Sequence, residues 1–425
     1  MYIMNEAIKL IDFINASPTA YHAIETTGRM LEDAGYSYIP EGDASAFGDG
    51  GKHYTVRNGS SIIAFHGKGD GFTVVASHSD TPTFRVKSSS VSSPYTRLNV
   101  EKYGGSILYS WLDRPLSVAG RVAVRTDEGI RTVNVDLKRD YAVIPSVAIH
   151  MNRSVNDGYK FNPATDMLPL SGLGGTGVLD SVAEALGVSA DKIVSEDLYL
   201  YNRDGGRLFG AASELILSPR LDNLGCAYAS LRAFIDAEET DQVSVLAIFD
   251  NEEVGSATKQ GAASTFLRDT LYKIAGSDAR YYSMLDNSYM VSADNAHAGH
   301  PNHPELSDAV GCSVLGGGVV VKYNASQRYT TDAVSDGIFR TVADRIGASV
   351  QSYYNRADMP GGSTLGSISN TVVSIPTIDI GLPQLAMHSA SEICAVSDVN
   401  AMISVLTELY STSIRRTRDG FDLLS

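Results

Sequence analysis

The chain has 425 residues, 34 Lys and Arg against 49 Asp and Glu, and a formal net charge of −15 at pH 7. That balance argues against a nucleic-acid partner, whose phosphates require clustered basic residues, while 43% hydrophobic and 20% charged content is ordinary for a globular enzyme of two or three domains. No run of 18 apolar residues and no basic n-region with an apolar core is found, so neither a membrane span nor secretion is expected.

Residues 4–35 are predicted as two helices broken at Ser17-Pro18, with Gly35 as the stop. Ile8, Ile11 and Ile14 repeat at helical spacing and mark a core-facing stripe. Strands are expected at 53–57, 60–66 and 72–77. From about 90 to 215, short alternating strands such as GRVAVRTD, RTVNVDL and DLYLYNRD mix with Gly/Ser/Asn loops, and only 178–187 reads as helix. Longer elements resume near 220. They are a helix from Leu221 to Ala237, strands at 243–249 and 317–323, a helix around 332–346, a strand at 371–380 and a helix near 398–412. The first and last thirds therefore belong together, with a β-rich insert between them. Cys226, Cys312 and Cys394 are odd in number, widely spaced and without a CxxC pair. That fits a reducing cytoplasm rather than a disulfide framework.

The chemistry gathers at strand ends. In an α/β sheet, ligands and catalytic groups collect beyond the carboxyl ends of strands. ASHSD at Ala76–Asp80 and FDNEEVG at Phe249–Gly255 each close an apolar, β-branched run, so His78, Asp80, Glu252 and Glu253 are expected on one rim. A histidine, an aspartate two residues on and a Glu-Glu pair suggest a metal centre with its own general base, and therefore hydrolysis. Asp80 can reach back to the second ring nitrogen of His78 and set its tautomer. Asp250, Glu252 and Glu253 put three acids into four residues, which repel one another unless cations compensate.

Asp222, in SPRLDNLG, sits where a helix begins. It reads either as a ligand or as a first-turn carboxylate stabilising the helix by about 1 kcal/mol. Asp294 ends YMVSAD and is another strand-end acid. His388, in PQLAMHSASE, follows strand 371–380 and taken alone also reads as a hydrogen-bonded structural histidine. The cluster DNAHAGHPNHPE carries His297, His300 and His303, but its Gly, Pro and Asn indicate an irregular loop rather than a second metal site.

The motifs ASHSDTP, VEKYGGSILYSWLDRPLSVAGRV, AIHMNR, SPRLDNL, FDNEEVGS, VSADNAHAGHPNHPE, VKYNASQRY and GLPQLAMHS resemble the M18 family of metallo-aminopeptidases, of the aspartyl-aminopeptidase type. The match keeps motif order and spacing from ASPTAYHA to the last helix. The resemblance implies an α/β fold: an αβα phosphorylase/hydrolase-like zinc peptidase domain over residues 1–89 and 216–425, interrupted by a β-rich dimerisation domain over 90–215. It also implies two zinc ions, with cobalt or manganese acceptable to the same donors, and a homo-oligomer, a tetrahedral dodecamer built from dimers.

Carried over by position, His78 and Asp294 hold one ion, Glu253 and His388 hold the other, and Asp222 bridges them. Glu252 is then the general base and Asp80 orients His78. Lys322 and Tyr329, in VKYNASQRY, match positions associated with gripping an acidic substrate side chain, and His297 matches a pocket histidine. One position departs from the family pattern. LYSW places Tyr109 where many members carry a histidine that reaches a neighbouring subunit's active site.

The implied substrates are peptides with a free N-terminus, with Asp or Glu preferred there. Read without the resemblance, Lys322 is a solvated strand-end lysine and Tyr329 a core aromatic. A broad neutral-residue aminopeptidase on the same scaffold and a non-catalytic assembly protein are the alternatives.

Overall fold

The computed structural model describes residues 2–424. Two amphipathic helices open the chain, Tyr2–Asn15 and Ala20–Asp33. Pro18 lies between them, where a helix interior would lose a hydrogen bond, and Gly35 follows the second with φ +87°. The first helix buries Ala7, Leu10, Ile11 and Ile14, whereas Ile8, expected on the core stripe, is 47% exposed. Its position falls about 100° around the helix from Ala7, off the buried face.

A nine-stranded mixed sheet forms the centre. Its spatial order is Ser37–Tyr38, His53–Arg57, Ser61–His66, Val243–Phe249, Phe72–His78, Tyr289–Ala293, Thr377–Gly381, Val319–Tyr323 and Val350–Tyr354. The four strands from Val243–Phe249 to Thr377–Gly381 run parallel, and Phe249 sits opposite His78. Their carboxyl ends therefore share one edge. VSVLAIF and FTVVASH are buried throughout, as expected for parallel strands covered on both faces.

Alternate side chains on these strands feed two separate cores. Val75, Leu246, Ile248 and Val291 pack with side chains of the helices Leu221–Asp236, Ala333–Arg345 and Val396–Tyr410. Val74, Ala76, Val245 and Ala247 pack instead with Phe266, Leu271, Ile274 and Met284, from the helices Phe266–Ala275 and Asp278–Asp286. Three layers result, αβα. The expected strand 371–380 is shorter, Thr377–Gly381. Val373 and Ile375 join the second core through a turn that Asn370 closes on the Ile375 carbonyl.

An antiparallel six-stranded sheet stands apart, in the order Gly129–Asp136, Leu116–Thr126, Ile193–Asn202, Thr83–Ser92, Tyr95–Tyr103 and Leu170–Gly172. It has its own core of Phe84, Val118, Leu198 and Leu200, against which Val178 and Val182 of helix Val178–Leu186 pack. A five-stranded sheet runs Arg207–Phe209, Leu215–Ser218, Glu392–Ala395, Pro383–Leu385 and Ala296–His297. Among the described residues no helix is long and apolar enough to cross a membrane.

Candidate metal centre

His78 closes the central strand Phe72–His78. The strand on one side leads into Glu252 and Glu253, and the strand on the other leads into Asp294. Asp222 enters from the start of helix Leu221–Asp236, where Asp222 and Asn223 depart from helical φ/ψ. His388 follows the strand Pro383–Leu385. Arg220, Asn251 and His388 all adopt left-handed backbone, with φ of 60°, 64° and 67°, a conformation that persists only where surrounding contacts enforce it.

The side chains converge. His78 Nε2 lies 3.4 Å from Asp294 Oδ1 and 3.9 Å from Asp222 Oδ1. His388 Nε2 lies 3.4 Å from Asp222 Oδ2 and 3.5 Å from Glu253 Oε2. Three sets thus have ligand atoms within 4.8 Å of one another: His78, Asp222 and Asp294; Asp222, Glu253 and His388; and His78, Glu252 and Glu253. Asp222 Oδ1 and Glu253 Oε1 are buried without any hydrogen-bond donor. Buried carboxylate oxygens lacking donors are costly, a divalent cation satisfies them, and the mix of imidazole nitrogens with carboxylate oxygens fits zinc.

Other groups hold these side chains in place. Asp80 Oδ1 lies 3.3 Å from His78 Nδ1, leaving Nε2 toward the acids. The same carboxylate accepts the backbone N–H groups of Glu252 (3.1 Å) and Glu253 (3.2 Å), and the Tyr103 hydroxyl at 2.7 Å. Asp80 therefore ties His78 to the Glu-Glu turn. Gly104, with φ +72°, passes so close that a Cβ would stand 3.2 Å from that of Glu253. Glu392, not singled out from sequence, is buried behind the site and accepts from the backbone of both Asp222 and His388. Its signal was a lone Glu after HSAS, with nothing local to separate it from a surface acid.

The electrostatics record crowded negative charge. Burial pushes Glu252 up to about 8, with His78 opposing and Asp294, Asp80 and Asp222 adding to the rise. Burial and Asp222 likewise raise Glu253 well above the usual carboxylate range. Burial works against a charged His388, but Asp222 and Glu253 outweigh it and lift it to about 10.

A family model described as Aminopeptidase I zinc metalloprotease (M18) matches residues 13–410. The chain belongs to the M18 family. It is similar to the probable M18 family aminopeptidase 2 of Clostridium acetobutylicum, at 40% identity over 95% of this chain and 98% of that protein. The counterpart in Pseudomonas entomophila is 39% identical over 94% and 97%. Among solved structures, that of the Ape4 and Nbr1 complex superposes with a TM-score of 0.93 at 34% identity, covering 96% of this chain and 86% of that one. The S. cerevisiae mApe1 dodecamer gives a TM-score of 0.84 at 27% identity, covering 95% and 96%. As an M18 member the protein is a metallo-aminopeptidase, a hydrolase of a zinc metalloprotease family.

The remaining sequence candidates fall around the M18 centre. His297, Lys322 and Tyr329 line the same cleft as the acids and histidines, a cavity of about 170 Å³. Lys322 is buried rather than solvated. Its ammonium donates to the Asp294 carbonyl at 2.7 Å, the Asn295 carbonyl at 3.3 Å and Asp294 Oδ2 at 3.4 Å, and it sits 5.2 Å from the Tyr329 ring centre. Asp250 is not among the residues lining the cleft and accepts from Asn251 and Gln260. No metal-type grouping among the described residues includes His297, His300 or His303. Tyr109 is 67% exposed, in the turn Leu108–Trp111 next to Ile107, whose N–H donates to the His388 carbonyl.

Proposed function

We propose that this M18 aminopeptidase uses two zinc ions and removes the N-terminal residue of peptides, preferring Asp or Glu. His78 and Asp294 hold one ion, Glu253 and His388 the other, and Asp222 is shared. The observation that carries this reading is the orientation of Asp222, whose Oδ1 faces His78 and whose Oδ2 faces His388. A divalent cation in such a set supplies Lewis acidity at the scissile carbonyl and eases ionisation of water. Glu252 takes the proton of the attacking water and returns it to the departing amine. Asp80 keeps His78 oriented. The carboxylates of the cleft pair with the substrate's free α-amine, which restricts cleavage to the first residue.

The acidic preference is supported by the Lys322 ammonium on the cleft wall, with His297, whose pKa burial pulls below its ordinary value, as a neutral hydrogen-bonding group beside it. A second reading, broad activity on neutral residues, is favoured by the three acceptors already engaged by Lys322. A panel of amino-acyl anilides separates them: cleavage of Asp and Glu substrates faster than Leu and Met is expected, and the reverse order removes the acidic preference.

The same proposal takes residues 1–89 with 216–425 as the catalytic unit and 90–215 as the dimerisation unit of a tetrahedral dodecamer in the cytoplasm, with the first boundary moved back to about residue 82 because strand Thr83–Ser92 pairs within the six-stranded sheet. It draws on the mApe1 dodecamer and on three free cysteines.

A further inference from the structure

We propose that Glu392 is a positioning residue of the metal centre, a carboxylate clamp that sets the distance between Asp222 and His388. The proposal rests on the assignment of those two residues as ligands. Glu392 is 1% exposed. Its Oε2 accepts the Asp222 N–H at 2.9 Å and its Oε1 accepts the His388 N–H at 2.7 Å. Topology makes this double reach available. Strand Glu392–Ala395 lies between Leu215–Ser218, which runs on into Asp222, and Pro383–Leu385, which runs on into His388.

The clamp is extended by a buried network. Gln384 approaches Glu392 Oε1 at 3.5 Å and accepts from Asn295 at 2.6 Å. Asn295 also donates to the Leu221 carbonyl at 2.8 Å and accepts from the Cys226 thiol at 3.0 Å. Segments bearing Asp222, Asp294 and His388 are thereby joined from behind. Two features mark the role as more than packing. His388 is held at φ +67°, and its N–H bond to Glu392 is one of the contacts that restrain that left-handed turn, with the Ile107 N–H on its carbonyl. A further carboxylate buried beside Asp222 is repelled by it, a cost that packing alone gives no reason to carry and that the two accepted N–H groups offset in part.

The test is a zinc titration by calorimetry and chelator competition on the full chain, wild type against Glu392→Gln, with kcat and KM on an amino-acyl anilide. The amide keeps the shape but presents an N–H₂ to one of the two N–H donors. Zinc affinity is expected to fall about 10–100-fold, the range for losing a group that orients a metal ligand. At limiting zinc, kcat should fall with KM little changed, and excess zinc should restore kcat. Zinc affinity and kcat equal to wild type overturn the clamp. So does a loss of activity that excess zinc leaves unrestored in folded protein. Should Glu392→Gln fail to fold, Glu392→Asp, which keeps the charge but loses the reach to one N–H, is read by the same titration with the same two outcomes. The wild-type titration keeps the readings distinct: a single bound ion there sinks the two-zinc function, whereas weakened zinc in the variant still supports the clamp.

Discussion

Glu252 and Glu253 are neighbours in the chain and face one cleft, yet their surroundings differ. Glu253 Oε2 lies 3.5 Å from His388 Nε2, and burial raises both carboxyls above the usual range, with His78 opposing the rise at Glu252. With Glu253 turned to that histidine, Glu252 is the carboxylate proposed to move the proton. Glu252→Gln is expected to lower kcat by about 10²–10⁴-fold with zinc content unchanged, measured by metal analysis beside the assay. Full activity in that variant removes Glu252 as the base.

A second residue-scale expectation lies away from the centre. His66 is buried, shares a 2.7 Å hydrogen bond with Tyr36 and packs on Phe234. Burial, and then Lys52, pull it down to about 4 from 6.5. Because the folded pKa lies below the unfolded one, its contribution is full above pH 6.5 and is lost as pH falls from there toward 4. The loss is on the order of 3 kcal/mol. Urea midpoints at pH 7 and pH 4.5 should differ less in His66→Phe than in wild type, and an equal difference rules His66 out.

Elements place these residues, and some elements were readable from sequence. Val243–Phe249 and Phe72–His78 stand where their β-branched runs predicted, because a strand buried on both faces has to be apolar along its whole length. The run at 371–375 has the same apolar look, yet Val373 and Ile375 enter a helix-side core from a turn. A short apolar run does not state which buried structure it joins.

The stretch Gly104–Trp111 shows how an element can bear on chemistry without supplying a ligand. Gly105 accepts from His388 Nδ1, and Gly104 abuts Glu253 at φ +72°. Gly104→Ala is expected to cost about 1 kcal/mol in stability through its positive φ. It should also cut kcat/KM several-fold by displacing Glu253, and unchanged kcat/KM would show that the approach does not matter.

At the scale of the whole molecule, acids from distant parts of the chain are packed together, so the metal should act on stability as well as on rate. Zinc at 100 times its dissociation constant contributes about 2.7 kcal/mol per site. Chelation should lower the melting temperature and abolish activity, and zinc should restore both; an unchanged melting curve with full activity contradicts this. The sequence by itself determined the strand-end positions of His78, Asp294 and the Glu-Glu pair, and the break between the first two helices, because periodicity and turn residues report local burial directly. Only the tertiary structure decided that Asp222 turns one oxygen to His78 and the other to His388, that Glu392 grips both segments, and that Lys322 spends its hydrogens on Asp294 and Asn295. Those contacts follow from the order of strands within sheets, and neighbours in a sheet leave no mark on the spacing of residues along the chain.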